Sequence, residues 1–326
     1  MAGGFVGVDP AQAPGGAAGR IVEYRWPGRF ITRCVSDSAL WWVSGVEGPA
    51  GDLQLWAVGD RGRIVWMRGG RCESLTAGVQ FAEGEPTYWG VLARAPNDVW
   101  IVGGSSRPDG PRGVLLHGDG TFWRQERIPD DAAQENLYKI AADGETLYVV
   151  GSGGLVLRRT PRGGTWQRVD VGLRATNDRV FTASCAGGTC FGVGVGASGF
   201  VLTGDGAGWR VLRASSDASL DDLPGLNGVW ARGPRDVLLV GVDGVTLHFD
   251  GTNIHSSGRP PPTSATLHAV GGFDEVVLAA GGELSTATPA QRGVILIQGD
   301  GAPVFTLDGR VYASGGLQRS SGGAGQ

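Results

Sequence analysis

One short pattern recurs seven times, and it limits the chain to a repeat architecture. A glycine heads a short apolar strand in GRIVEY at Gly19, GRIVWM at Gly62, GVLLHG at Gly113 and GLVLRR at Gly154. GFVLTG at Gly199, GVTLHF at Gly244 and GVILIQ at Gly293 complete the series, at intervals of 41 to 51 residues. Such a period means one supersecondary unit per repeat, each covering its apolar faces only by packing on its neighbours. The copy from Leu226 to Gly258, LNGVWARGPRDVLLVGVDGVTLHFDGTNIHSSG, has the shortest turns. Its four apolar runs are separated by RGPRD, GVDG and FDGT. Gly, Pro and Asp between such runs mark tight turns, so each unit reads as four antiparallel strands.

The other strands follow the same order. Second strands include LWAVG from Leu55, DVWIVGG from Asp98, TLYVVG from Thr146 and DVLLVG from Asp236. First strands include LWWV from Leu40, YWGVLA from Tyr88, LYKIAA from Leu137, RVFTA from Arg179, LNGVWA from Leu226 and LHAVGG from Leu267. The N-terminus supplies second, third and fourth strands (Phe5 to Val8, Arg20 to Tyr24, Arg29 to Cys34), and GRVYASGG from Gly309 resembles the missing first one. The prediction is an all-β fold, a seven-bladed β-propeller of four-stranded antiparallel blades, spanning residues 1–319 as one domain. Its last blade combines residues 5–35 with 309–316, so that pairing of the N- and C-terminal strands closes the ring and removes exposed edges. Six blades with a loose C-terminal strand is the second arrangement. Residues Ser320 to Gln326 read as a flexible tail.

Composition narrows the function. The 59 glycines exceed the average usage of about 7% and fall at the turns. A net charge of −4 argues against nucleic acid as a partner, because phosphate contacts need clustered Lys and Arg. Lys139 is the only lysine beside twenty-seven arginines, a skew that fits a GC-rich genome. No run of 18 apolar residues is present, so no membrane-spanning segment is expected. The start, MAGGFVGVDPAQAPGG, shows no signal peptide, so the expectation is either a cytosolic protein or a mature, trimmed chain.

Cys185 and Cys190 face each other across the turn in SCAGGTCFG and are disulfide candidates. Cys34 and Cys72 occupy equivalent places in consecutive repeats, on strands of the outer rim. Whether they pair depends on their Cα atoms lying within the limit of about 7 Å. An even count of four fits an oxidising compartment, or four buried thiols. With no CxxC and no His near a cysteine, no zinc site is expected. No P-loop, HExxH or GxSxG is present, and no cofactor is expected.

The repeat GVWARGPRDVLLVGVDGVTLHFDG resembles the Gly-rich propeller repeats of secreted bacterial proteins. It is similar in particular to photosystem II assembly-factor-like and neuraminidase-type repeat propellers. HGDGTFW (His117 to Trp123) and GDGAGW (Gly204 to Trp209) keep the Asp, Gly and aromatic of the Asp-box, Ser/Thr-x-Asp-x-Gly-x-x-Trp/Phe. They lose its Ser/Thr start or its spacing. The resemblance implies a propeller over nearly the whole chain, at the cell surface, in the periplasm or secreted.

Loop lengths single out one face. The insertions GGSSRPDGPRG from Gly103, GGELSTATPAQRG from Gly281 and VDPAQAPGGAAG from Val8 all join second to third strands. They emerge on the same side as the connections between blades, and a rigid ring with one elaborated face suits binding. Candidate binding residues there are Arg107, Asp109, Glu83, Glu85, Asp130, Asp131, Asp221, Asp222 and Trp89. The carboxylates have no EF-hand spacing for calcium. The four histidines read as structural, while Trp26, Trp41 and Trp89 fall outside the regular tryptophan positions. The expected function is a non-enzymatic propeller recognising a protein or glycan, as one component of a larger surface assembly. The alternative is a sialidase-like glycan hydrolase with its site at the mouth of the propeller's central channel, since Arg127-Ile128-Pro129 is similar to the Arg-Ile-Pro motif of sialidases. Here that motif follows a fourth strand, is preceded by Glu126, and has no evident Tyr–Glu pair beside it.

Overall fold

The computed structural model describes residues 19–25, 29–162, 164–173, 177–212, 223–257, 261, 263–273, 276–282, 292–298, 306–313 and 316–319. Strands β1 (Gly19–Arg25) and β2 (Arg29–Ser36) form a two-stranded sheet. Strands β3–β6 (Leu40–Glu47, Leu53–Gly59, Ile64–Arg68, Arg71–Leu75) make the first four-stranded blade. The second is β7–β10 (Thr87–Ala95, Asp98–Gly104, Val114–Gly118, Trp123–Gln125) and the third β11–β14 (Leu137–Asp143, Thr146–Gly151, Val156–Arg159, Gln167–Arg168). The fourth is β15–β18 (Arg179–Ala186, Thr189–Val195, Gly199–Gly204, Trp209–Val211) and the fifth β19–β22 (Leu226–Gly233, Asp236–Gly241, Thr246–Phe249, Ile254–Ser256). The sixth has five strands, β23–β27 (Leu267–Phe273, Val276–Gly282, Arg292–Gln298, Thr306–Ala313, Gly316–Arg319).

The second strand of each blade is buried along nearly its whole length, as in β8 and β20. It has strands on both sides and neighbouring blades on both faces. That position selects continuous apolar runs such as DVWIV and DVLLV rather than strict alternation.

Six full blades are present among the described residues, the blade count of the second arrangement expected, but the C-terminal strand is not loose. The predicted pairing of the chain ends is corrected. Thr306–Ala313 pairs with β25 and β27, so the GRVYA part of GRVYASGG extends the sixth blade. A partner next in sequence closes a far shorter loop than one near the other terminus, at lower entropic cost. Phe5 to Val8 lie outside the described residues. The β1–β2 sheet joins first and last blades by packing instead. Ile21 and Cys34 enter the buried cluster of Leu40, Val43, Leu55 and Met67, while Tyr24 and Phe30 pack against Val276, Ala280, Ile295 and Ile297.

A disulfide reinforces that junction. Cys34 on β2 is bonded to Cys72 on β6 with Cα atoms 5.9 Å apart, because the outer strands of these neighbouring sheets run close together. Cys185 and Cys190 are opposite each other in the β15–β16 register and are also bonded.

Polar clasps recur inside the blades. Asp98 accepts hydrogen bonds from Trp100 Nε1 (2.7 Å) and Arg94 (3.2 Å), with His117 Nε2 at 3.0 Å. The His117 ring stacks on Trp100 at 3.8 Å. In the fifth blade, Asp236 likewise holds Arg232 (2.8 Å) and His248 (2.9 Å).

The third-to-fourth-strand turns keep the Asp of the Asp-box-like segments. Asp119 accepts from the N–H groups of Thr121 and Phe122, and Asp205 from those of Ala207 and Gly208. Asp250 accepts from Thr252 and Asn253 at 2.8 Å each, with His255 Nε2 2.9 Å away. The Asn253 N–H, His255 and the Thr252 N–H hold the Asp250 carboxyl well below the usual carboxylate range. A depressed folded pKa adds stability above the unfolded value of about 3.9, and that stability is lost as pH falls below it. Asp250→Asn keeps an acceptor oxygen but cannot titrate. The variant is expected to unfold at a lower temperature than the wild type at pH 7, with the difference closing as pH falls from 5 towards 2. Parallel pH profiles for both proteins would contradict this account of the turn.

Candidate binding mouth of the channel

The first strand of every full blade carries a bulge at the same place. The register slips between Leu40 and Trp42, Tyr88 and Gly90, and Leu137 and Lys139. It slips again between Val180 and Thr182, Leu226 and Gly228, and Leu267 and Ala269. The extra residue is Trp41, Trp89, Tyr138, Phe181, Asn227 or His268. A bulge leaves one residue unpaired and re-aims its side chain. The residue before each bulge is at most 2% exposed, whereas all six bulged residues are partly exposed.

A glycine on the second strand makes the bulge possible. Gly59, Gly103, Gly151, Gly194, Gly241 and Gly281 lie opposite the residue before each bulge. A Cβ at any of them would stand within 2.4 Å of a carbonyl oxygen at the entry to the first strand. The recurring Val-Gly or Ala-Gly that ends the second strands is therefore the sequence signature of the bulge.

Four of the six bulged residues form a continuous aromatic arc. Ring centroids are 5.4 Å apart for Trp41 and Trp89, 6.3 Å for Trp89 and Tyr138, and 5.8 Å for Tyr138 and Phe181. Trp41 is fixed by its Nε1 donating to Asp60 (2.8 Å), which also accepts from Thr87 Oγ1. Asn227 and His268 continue the series in the last two blades. His268 Nε2 lies 3.0 Å from the Gly282 carbonyl, and burial pushes its pKa down.

Beside the arc, residue 139 of the third blade meets the first two blades. Lys139 Nζ donates to the Trp89 carbonyl (3.2 Å) and sits 3.4 Å from the Trp42 ring centroid. Gly90 leaves the space between them, since a Cβ there would stand 3.2 Å from Lys139 Cα. Lys139 retains some exposure, yet protein surrounds it closely enough that burial pulls its pKa down to about 7.

The loop residues expected to bind lie at the same end of the blades. In the second blade the start of β7 pairs with the end of β8, and the end of β8 with the start of β9. Arg107 and Asp109 are exposed in the β8–β9 loop, and Glu83 and Glu85 in the loop entering β7. The Arg107 guanidinium comes within 3.4 Å of where a Cβ on Gly84 would stand, so these two loops meet. The base of the β8–β9 loop is locked by Asn136, which accepts from Ser105 N–H (2.9 Å) and donates to its carbonyl (3.0 Å). Asp130 and Asp131 are exposed in a 3-10 turn, with Asp131 3.6 Å from Arg168. Trp89 belongs to the arc. Asp221, Asp222 and Trp26 lie outside the described residues. Arg127 is exposed, and the Glu126 before it is paired with Arg124 at 3.1 Å.

No family model and no curated protein sequence matches the chain. Among solved structures it is similar to YCF48 bound to D1 peptide, with a TM-score of 0.57 and 16% identity over 87% of this chain and 90% of that one. It is also similar to the computationally designed Ika8 protein, with a TM-score of 0.53 and 11% identity over 87% of this chain and 94% of that one. YCF48 from Cyanidioschyzon merolae matches 71% of this chain and 92% of that one at 16% identity and a TM-score of 0.45. The first two likenesses bear on the fold alone, and they agree with a propeller of four-stranded blades.

Proposed function

We propose that this chain is a non-enzymatic recognition propeller that takes an extended protein segment at the channel mouth, on its elaborated loop face. The observation that carries the reading is the arc of Trp41, Trp89, Tyr138 and Phe181, built by one device repeated in successive blades. Trp and Tyr offer large contact area at small entropic cost and dominate interface energetics. Around that apolar centre, exposed Glu83, Glu85, Arg107, Asp109, Asp130 and Asp131 supply a polar rim. The similar fold of a protein bound to a peptide supports a protein segment as ligand. Among the described residues the bulge positions present rings, an amide and an imidazole, with Lys139 beside them, and the one carboxylate bonded to the arc, Asp60, is occupied by Trp41 and Thr87, where a glycan hydrolase needs a converging pair. Two disulfides support a place outside the cytoplasm, at the cell surface, in the periplasm or secreted.

Peptides selected from a random display library on the immobilised protein test the reading, with Trp89→Ala as the comparison target. A central aromatic anchor is worth about 2 kcal/mol or more. Selected peptides are therefore expected to bind the variant roughly 30-fold more weakly. Peptides that bind Trp89→Ala and Tyr138→Ala with unchanged Kd would place recognition elsewhere.

A further inference from the structure

Lys139 is the only lysine among twenty-eight basic residues, and it occupies the one mid-strand position where the inner strands present a cation. Arg94 and Arg232, at the far ends of their inner strands, are each paired with an Asp, at 3.2 and 2.8 Å. Lys139 differs. Its contacts among the described residues are the Trp89 carbonyl and the face of Trp42, and neither carries a negative charge.

That arrangement is half of a site. An ammonium removed from water without a counter-ion is costly, and burial accordingly brings the Lys139 amine down to about pKa 7. The ring face and the carbonyl compensate only in part. An ammonium has three donor hydrogens, and one carbonyl uses one of them. The compact ammonium also differs from the planar guanidinium used elsewhere in the chain. The residue as a whole keeps some exposure beside the aromatic arc.

We infer that the channel beside the arc is a carboxylate subsite, in which Lys139 Nζ pairs with an anionic group and Trp41, Trp89 and Tyr138 hold the adjoining apolar or aromatic part of the ligand. The inference rests on the channel mouth being the binding site. It adds the chemistry that the occupant must carry, namely a carboxylate next to a ring or aliphatic side chain.

The test uses three probes on the whole protein. N-acetyl-phenylalanine carries a main-chain carboxylate, its amide carries none, and N-acetyl-phenylalanyl-aspartamide carries one on a side chain. Tryptophan fluorescence gives Kd, and 13C-lysine labelling gives one ε-methylene signal, because Lys139 is the only lysine. At least one carboxylate probe is expected to bind tenfold or more tighter than the amide, and to shift the ε signal where the amide does not. Which one does so separates a chain end from an acidic side chain. In Lys139→Met, which removes an unpaired buried charge and keeps the stem, the preference is expected to vanish while the amide still binds. Equal binding of all three probes to the wild type overturns the subsite and leaves the aromatic mouth standing. Binding of selected peptides with no response from any probe also overturns the subsite alone. Failure of both peptides and probes overturns the mouth as well. The labelling readout needs no variant, so poor folding of Lys139→Met leaves the decision intact.

Discussion

Replacing Cys34 and Cys72 together by alanine is expected to destabilise the junction between the β1–β2 sheet and the first blade by about 4 kcal/mol. The bond closes a loop of 38 residues, and chain-entropy estimates for a loop of that size give this figure. The effect is expected to be local. Each blade of a ring packs mainly on its neighbours, so stability is a sum of unit and interface terms. Amide hydrogen exchange is the suitable measurement. Protection in β1 and β2, and in Val276–Gly282 against which Tyr24 and Phe30 pack, is expected to fall. Strands β11–β13 are expected to keep theirs. Cys185→Ala with Cys190→Ala opens a loop of only 5 residues and is expected to cost about 2 kcal/mol, confined to the β15–β16 hairpin. Equal and global loss of protection in both double variants would contradict the view that the first bond staples the ring.

The blade plan was legible because local rules and global packing agree in it. Turn residues and buried second strands mark every repeat, as the Leu226 to Gly258 copy shows most plainly. How the ends join was not legible. GRVYASGG reads as a strand, but an apolar strand pattern does not say which edge it joins, and a nearby partner prevailed. Cys34 and Cys72 resisted reading for a related reason. Their spacing in sequence says nothing about the approach of two outer strands.

The mouth was half legible. Trp41 and Trp89 stood out as tryptophans off the regular positions, and both lie in the arc. Tyr138, Phe181, Asn227 and His268 did not stand out, because alternation along a strand assumes an unbroken pleat and a bulge shifts it. The missed signal was present in the glycines that end the second strands, each of which makes room for the bulge opposite. In the sequence, Lys139 reads as genome composition. Its meaning depends on Gly90 and Trp42 in two other blades, and no local pattern connects those three residues.

Trp56→Ala is expected to be among the most damaging single changes, costing about 3–5 kcal/mol. Trp56 is fully buried on β4, opposite Trp66 in register, with the two rings stacked at 6.0 Å. It packs into a cluster with Val99, Ile101, Val114 and Leu116 of the next blade, and its Nε1 donates to the Gly120 carbonyl at 3.1 Å. Gly120 has φ of +92°, and a Cβ there would come within 2.8 Å of the indole, so the turn is shaped around the ring. Truncation leaves a cavity between two blades and strands a buried carbonyl, two separate penalties at one position. Phe122→Ala, on the same turn but 79% exposed, is expected to stay within about 0.5 kcal/mol of wild type. Urea unfolding midpoints compare the two, and similar values would refute the claim that Trp56 couples the blades. The seating of the second blade on the first also sets the distance from Trp41 to Trp89. Trp56→Ala is therefore expected to weaken peptide binding at the mouth under conditions where the protein remains folded, although the indole itself is fully buried between the blades.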